Sequence, residues 1–253
     1  MAAVGYKNLT QKLLEQAVFD PQAKIDRQDT LLLVDCHKES NDKKWRSLLI
    51  DRHRGVIGSS KETKRLLNEW LEQQTLGLIW QRSMQKVLTK KKRVESMVIV
   101  QGNSMFVPVS GATQYSTSWV AVHNLISQVY FSPTKSSIWL NFQKNNLEVL
   151  TLEIQANCNF FQKQYRIGQK IMLQQWRNWH SFEAEFKVKE NSLLFQNCLA
   201  DVQELNYVHP RELFNFYQHE MLECSLKCWW EEHVSPEQVD KVYKEVKHRF
   251  DTF

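Results

Sequence analysis

Residues 43–65 read KKWRSLLIDRHRGVIGSSKETKR. An apolar run over residues 45–50 and the short Gly55-Val56-Ile57 segment pattern as a strand pair, with Asp51-Arg52-His53-Arg54 as the exposed connection. A helix start follows Gly58. Ser59 with Glu62 three residues on fits a capping box. Leu67, Trp70, Leu71 and Gln74 then recur at helical spacing until Gly77 stops the run. The stretch holds eight cations (Lys43, Lys44, Arg46, Arg52, Arg54, Lys61, Lys64, Arg65) against two carboxylates (Asp51, Glu62). Positive charge clustered on ordered elements points to a polyanion partner, because every phosphate contacted releases counterions. A solvated surface accounts for the same cations equally well, since Lys and Arg belong outside in any globular chain.

Outward from this stretch the chain alternates between helix and strand. Leu31-Leu32-Leu33-Val34 reads as a buried strand, and residues 6–19 as a short amphipathic helix through Leu9, Leu13, Leu14 and Val18. After Gly77 a second short helix, with Trp80, Met84, Val87 and Leu88 inward, runs into the basic cluster Lys90-Lys91-Lys92-Arg93. From residue 96 to residue 152 the texture is β. Met97-Val98-Ile99-Val100 and Met105-Phe106-Val107 flank the hairpin turn Gly102-Asn103. Further strands are expected at 119–122, 127–131, 138–142 and 147–154, with turns at Ser132-Pro133-Thr134-Lys135 and Lys144-Asn145-Asn146. Asn157 opens a long helix whose Phe161, Tyr165, Gly168, Met172, Trp176 and Trp179 form one stripe. Phe182, Ala184, Phe186 and Val188 then alternate with charged residues, a period of two that suits a strand. Pro210 begins another helix. Ser235-Pro236-Glu237-Gln238 begins the last, with a second capping box and an apolar face of Val239, Val242, Tyr243, Val246 and Phe250. The expected class is α+β: an antiparallel β-sheet or small barrel core with flanking helices and a mainly helical C-terminal extension.

The chain has 253 residues, enough for one large or two modest domains. Nine Trp and thirteen Phe supply core bulk, while seven Gly and five Pro leave little room for long linkers. No apolar run reaches the roughly 18–20 residues of a membrane span, and the N-terminus lacks a signal-peptide pattern. Five scattered cysteines fit reduced thiols in a cytoplasmic protein better than a disulfide framework. Charge divides the chain. Residues 1–179 carry 25 Lys and Arg against 14 Asp and Glu, a balance of +11; residues 180–253 carry 8 against 14, a balance of −6. The expected organisation is therefore a basic body over 1–179 and an acidic, mainly helical extension over 180–253, with polyanion binding assigned to the body.

No Walker loop, dinucleotide fingerprint, zinc-protease helix or nucleophile elbow occurs. Gly55-Val56-Ile57-Gly58-Ser59-Ser60 lacks the Gly-Lys of a phosphate loop and reads as a turn. Cys224 and Cys228 lie one helical turn apart near His219 and His233. His219 and Cys224 would face different ways, so a buried thiol pair is favoured over metal. His37 and His123 have no nucleophile in readable relation to them and read as structural. Trp229-Trp230 suits either a docking pair or the core. The hydroxyl-rich residues 110–118, with Gln114, precede Trp119; they suit phosphate-backbone contacts or a solvated turn equally. No catalytic set and no cofactor are expected.

Arg54, then Gly58-Ser59-Ser60, then a β region from Met97 to Val107 into Pro108, Ser110 and Trp119 with His123, then Leu152-Glu153-Ile154, Asn157, Phe160 and Gln164-Tyr165-Arg166, resemble the competence transcription factor ComK family. The likeness is a set of scattered identities in order over roughly residues 28–175. The region 60–93 is enlarged relative to that pattern, and the extension beyond Trp179 is additional. The resemblance implies a cytoplasmic bacterial activator that binds paired A+T-rich boxes in double-stranded DNA through the minor groove as a homodimer or higher oligomer. It also implies contact with RNA polymerase and turnover through a protease adaptor. A narrow A-tract minor groove attracts inserted Arg and Lys, and no helix-turn-helix pattern is present. The expected DNA contacts are Arg52, Arg54, Lys61, Lys64, Arg65, Lys90, Lys91, Lys92 and Arg93. The alternative from another class is an RNA-binding or nuclease-like protein with a β platform.

Overall fold

Consecutive apolar residues, rather than alternating ones, build the centre of this protein. A computed structural model describes residues 6–36, 45–74, 77–91, 94, 96–111, 116–144, 148–185 and 235–251, with isolated helical positions between 212 and 225. The chain forms two units, residues 1–172 and residues 173–252. In the first, a seven-stranded sheet runs in the order β1-β4-β3-β2-β7-β6-β5. Its strands are β1 (Val18–Phe19), β2 (Thr30–Asp35), β3 (Ser47–Asp51), β4 (Gly55–Ser59), β5 (Ile99–Gln101), β6 (Ser104–Pro108) and β7 (Trp119–Ala121). Every pairing is antiparallel except the short edge strand β1, which runs parallel to β4. The α+β class is as expected; the sheet is open rather than a barrel, and the parallel edge makes it mixed.

Both faces of this sheet are covered, which is why its strands read as unbroken apolar runs. Leu48, Ile50, Val98, Val100, Met105, Val107 and Val120 enter one core cluster. Their sequence neighbours Leu49, Ile99, Phe106, Trp119 and Ala121 enter the other. Leu31 and Leu32 share one cluster because a bulge shifts the register between Thr30 and Leu32. The second cluster is closed by α2 (Thr63–Glu72) through Leu66, Leu67, Trp70 and Leu71. The first is closed by α1 (Tyr6–Gln16), by a three-stranded antiparallel sheet in the order β10-β9-β8, and by the start of α4 (Cys158–Glu185). That small sheet comprises β8 (Tyr130–Phe131), β9 (Ser137–Gln143) and β10 (Val149–Gln155), with Ile138, Leu140, Phe142, Leu152 and Ile154 pointing into the core.

Two devices fix the helices near β5. α3 (Leu78–Thr89) buries Gln81 and Gln85 against the outer edge of that strand. Gln81 donates from Nε2 to the Val100 carbonyl and accepts from the Val100 N–H at 3.2 Å. Gln85 donates to the Ser96 carbonyl at 2.7 Å and accepts from the Val98 N–H at 3.2 Å. Each amide offers one donor and one acceptor, so the pair stands in for a further strand and blocks the free edge. α4 approaches the same place through Gly168. A Cβ there would lie 2.7 Å from Met105 Sδ and 3.0 Å from Val98 Cγ1, so only glycine permits the helix to sit this close.

Several expectations are corrected. α2 begins at Thr63 and its N-cap is Glu62 without a side-chain cap bond; Ser59 Oγ instead accepts from the Lys61 N–H at 3.1 Å. Val87 is 73% exposed; the buried side of α3 is formed by Leu78 and Met84 together with Gln81 and Gln85. Residues 182–185 continue α4 rather than forming a strand, and residues 186–189 of the same pattern lie outside the described residues. Of the long stripe, Phe161 and Gly168 are buried and Tyr165 and Met172 pack on the core, but Trp176 and Trp179 are exposed. The second capping box is present: Ser235 N–H donates to Gln238 Oε1 at 2.9 Å and Gln238 N–H to Ser235 Oγ at 3.3 Å, opening α5 (Pro236–Asp251). The helix start at Pro210, the Cys224–Cys228 pair, His37, His233 and Trp229-Trp230 lie outside the described residues. Cys36 and Cys158 are buried free thiols.

Replacing Gln81 by Leu removes the two hydrogen bonds it makes with the Val100 backbone. A buried polar group that loses its partner costs about 1–3 kcal/mol. We expect a clear loss of stability in urea unfolding, larger than for Leu in place of the exposed Ser83; equal midpoints would refute the edge-capping role.

Candidate nucleic-acid interface

The β3–β4 hairpin closes through Arg52, His53 and Arg54, with Gly55 at φ +76. Asp51 organises it from beneath and is 4% exposed. Its Oδ1 accepts the N–H of His53 at 3.0 Å and of Arg54 at 2.9 Å. Its Oδ2 accepts Arg54 Nε at 3.2 Å and Nη2 at 2.7 Å. Burial pushes the Asp51 carboxyl up, but the Arg54 guanidinium and the two amides outweigh it and hold its pKa below the ordinary 3.8. The hydrogen bond to Asp51 in turn raises Arg54. Arg54, expected on a phosphate, is paired within its own hairpin with its side chain 45% exposed. Arg52 is half-buried and reaches Asn124 Oδ1 at 3.4 Å, and Asn124 donates to the Thr30 carbonyl at 2.9 Å.

The next cations are also engaged. Lys61 Nζ lies 2.7 Å from Glu69 Oε2 and Arg65 Nε 3.1 Å from Glu69 Oε1. Burial raises Glu69, and its bonds to Lys61 and Arg65 more than reverse this. Lys64 is half-buried on the same helix. Gly58 lies in β4 under the indole of Trp45, whose Cζ3 would fall 1.7 Å from an added Cβ, so it forms no phosphate loop. Trp119 is 1% exposed and belongs to the core. Near it, Thr63 Oγ1 donates to the Thr117 carbonyl at 2.7 Å and Ser110 Oγ lies 2.8 Å from Thr117 Oγ1; residues 112–115, including Gln114, lie outside the described residues. His123 is structural, with Nε2 2.8 Å from the Arg27 carbonyl. His219 meets Asp240 at 2.8 Å and the Tyr243 ring edge-on. Among the described residues no group of three His, Cys, Asp or Glu is gathered as for a metal, and no helix is long and apolar enough to cross a membrane.

Lys90 ends α3 in a left-handed C-cap at φ 54, and Lys91 follows it, both exposed. Lys92 and Arg93 lie outside the described residues. Lys91 belongs to a groove of about 470 Å³ between the end of α3 and the first half of α4. Lys163, Arg166 and Lys170 line its other side, with Phe160, Ile167 and the buried Gln164. No described carboxylate lines it. Sequence reasoning passed over Lys163 and Lys170 and took Arg166 only as part of the family likeness. Their i, i+3, i+7 spacing, on the side of α4 away from its apolar stripe, was the available signal. No family model, no curated protein and no solved structure matches this chain.

Because the folded pKa of Asp51 is lowered, its contribution to stability is present above the unfolded value of 3.8 and is lost as pH falls through the lower folded value. Asp51→Asn should therefore reduce stability at neutral pH and flatten the acid limb of the stability profile below pH 3.8. An unchanged acid limb, followed by thermal unfolding from pH 2 to 7, would refute the staple.

Proposed function

We propose that this chain is a DNA-binding transcriptional activator of bacterial competence (DNA-uptake) genes. It recognises A+T-rich promoter boxes in double-stranded DNA through the minor groove, as a homodimer or higher oligomer in the cytoplasm. RNA polymerase and a protease adaptor are its expected protein partners. The observation that carries the reading is the charge partition, +11 over residues 1–179 against −6 over residues 180–253. A field of that sign concentrates polyanions at the body and supplies the counterion release on which DNA affinity rests. The ordered likeness to the ComK family supports the choice of promoter DNA over other polyanions. Minor-groove readout fits a sequence without a helix-turn-helix pattern.

A gel-shift titration with A+T-rich duplex, G+C-rich duplex and single-stranded RNA separates this reading from an RNA-binding or nuclease-like protein. The A+T-rich duplex should bind tightest. Equal affinity for all three, or degradation of the probe, would overturn the activator reading. Sedimentation of the DNA complex should show more than one protein per pair of boxes.

A further inference from the structure

Three cations of the most basic stretch of sequence are already paired. Arg54 is held by Asp51, and Lys61 and Arg65 share Glu69. In the groove between α3 and α4, Lys91, Lys163, Arg166 and Lys170 have no ion pair among the described residues, and no described carboxylate faces them. Four like charges gathered on one groove repel each other, a cost removed when an anion enters. Gln164 lines the groove at 5% exposure, and its buried Oε1 has no hydrogen-bond partner. A phosphodiester carries acceptors only and leaves that oxygen as it is, so the cations are what an anion meets here.

We propose that this groove is the phosphate-binding seat of the protein and takes the phosphodiester backbone of a nucleic-acid strand. The inference rests on the nucleic-acid reading above and relocates its contacts from the β3–β4 hairpin to α3 and α4. Geometry supports a strand rather than a single phosphate. Lys163 to Lys170 spans about 10 Å along α4 at about 1.5 Å per residue. One strand of duplex carries a phosphate about every 3.4 Å of axis, so the row faces about three phosphates. Lys91 supplies charge from the opposite wall. Phe160 and Ile167 give apolar surface between the cations, suited to a sugar or an unstacked base. In sequence, Lys92 and Arg93 follow directly on Lys91, with Glu95 the one acidic residue beside them.

The test uses the full chain and two probes, an A+T-rich duplex and the trinucleotide d(pTpTpT). The variant K163Q/R166Q/K170Q changes exposed side chains only; its fold is checked by circular dichroism and melting. With the duplex, affinity at 0.1 M salt should fall at least tenfold, and the slope of log affinity against log salt should shrink by about two to three, at about 0.9 per lost phosphate contact. K64Q/R65Q, on α2, should change both much less. A folded triple variant that binds the duplex with the wild-type slope and affinity overturns the seat while leaving the DNA reading intact. Trinucleotide binding that the triple variant loses, in a protein that ignores all duplexes, supports the seat and overturns the activator reading. Acylation footprinting of the wild-type protein needs no variant. Bound duplex should protect Lys163 and Lys170 over Lys12, and equal labelling with and without duplex refutes the proposal.

Discussion

Leu31, Leu32, Leu33 and Val34 are all withdrawn from solvent, and so are Leu48 and Leu49 on the adjacent strand. Strands apolar on both faces cannot lie at a surface, so a layer must close each side. α2 closes one; α1, the small sheet and α4 close the other. This constraint sorts the charges as well. With strands β2, β3, β6 and β7 buried on both faces, cations are confined to hairpin tips, helix backs and the segments joining helices to the sheet. Where the body carries its positive charge is thus a consequence of how the sheet is wrapped.

Among those sites, local pairing decides which cations can meet a ligand. Arg52 and Arg54 share one short loop above a carboxylate. Asp51 offsets the charge of Arg54 and satisfies two loop amides with the same side chain. Glu69 does a comparable service on α2 for Lys61 and Arg65. Exposed pairs such as Arg65–Glu69 contribute little to stability, yet each must be broken or shared before its cation can serve a phosphate. Sequence density of positive charge is therefore a poor guide to binding, because acidic partners one or two turns away cancel it.

Much of the fold was legible. Strands β2 to β6 show in their apolar runs, and the two hairpins in Gly55 and in Gly102-Asn103. The Leu67, Trp70 and Leu71 part of the α2 face shows in its period. The losses have physical causes. Phe182 and Ala184 mimic a strand only when the preceding helix is disregarded. Ser59 carries the residue types of a capping box, but it lies in β4, and its hydroxyl serves a turn before the helix starts. The two glutamines on the buried side of α3 were illegible because Gln81 and Gln85 are buried by hydrogen bonding rather than by hydrophobicity, and periodicity arguments count only apolar residues. For the same reason the cation row on α4 was passed over: attention to the Phe161 stripe leaves the opposite face unread.

Both walls of the groove are tied to one place in the sheet. Gln85, itself a lining residue, holds Val98 by its amide, and Gly168 lets α4 approach the side chain of the same valine. The distance between α3 and the first half of α4 is therefore set by the β5–β6 edge rather than by the charged side chains that line it. Such a frame keeps the backbones fixed while the Lys and Arg tips remain free to adjust. That combination suits recognition of regularly spaced phosphates, where charge and spacing matter and base identity does not. Contacts of this kind position a duplex without reading it. On the proposed reading, a preference for A+T-rich boxes would come from the shape and stiffness of the DNA that best follows the groove, a discrimination by deformation energy that needs no side chain on a base edge.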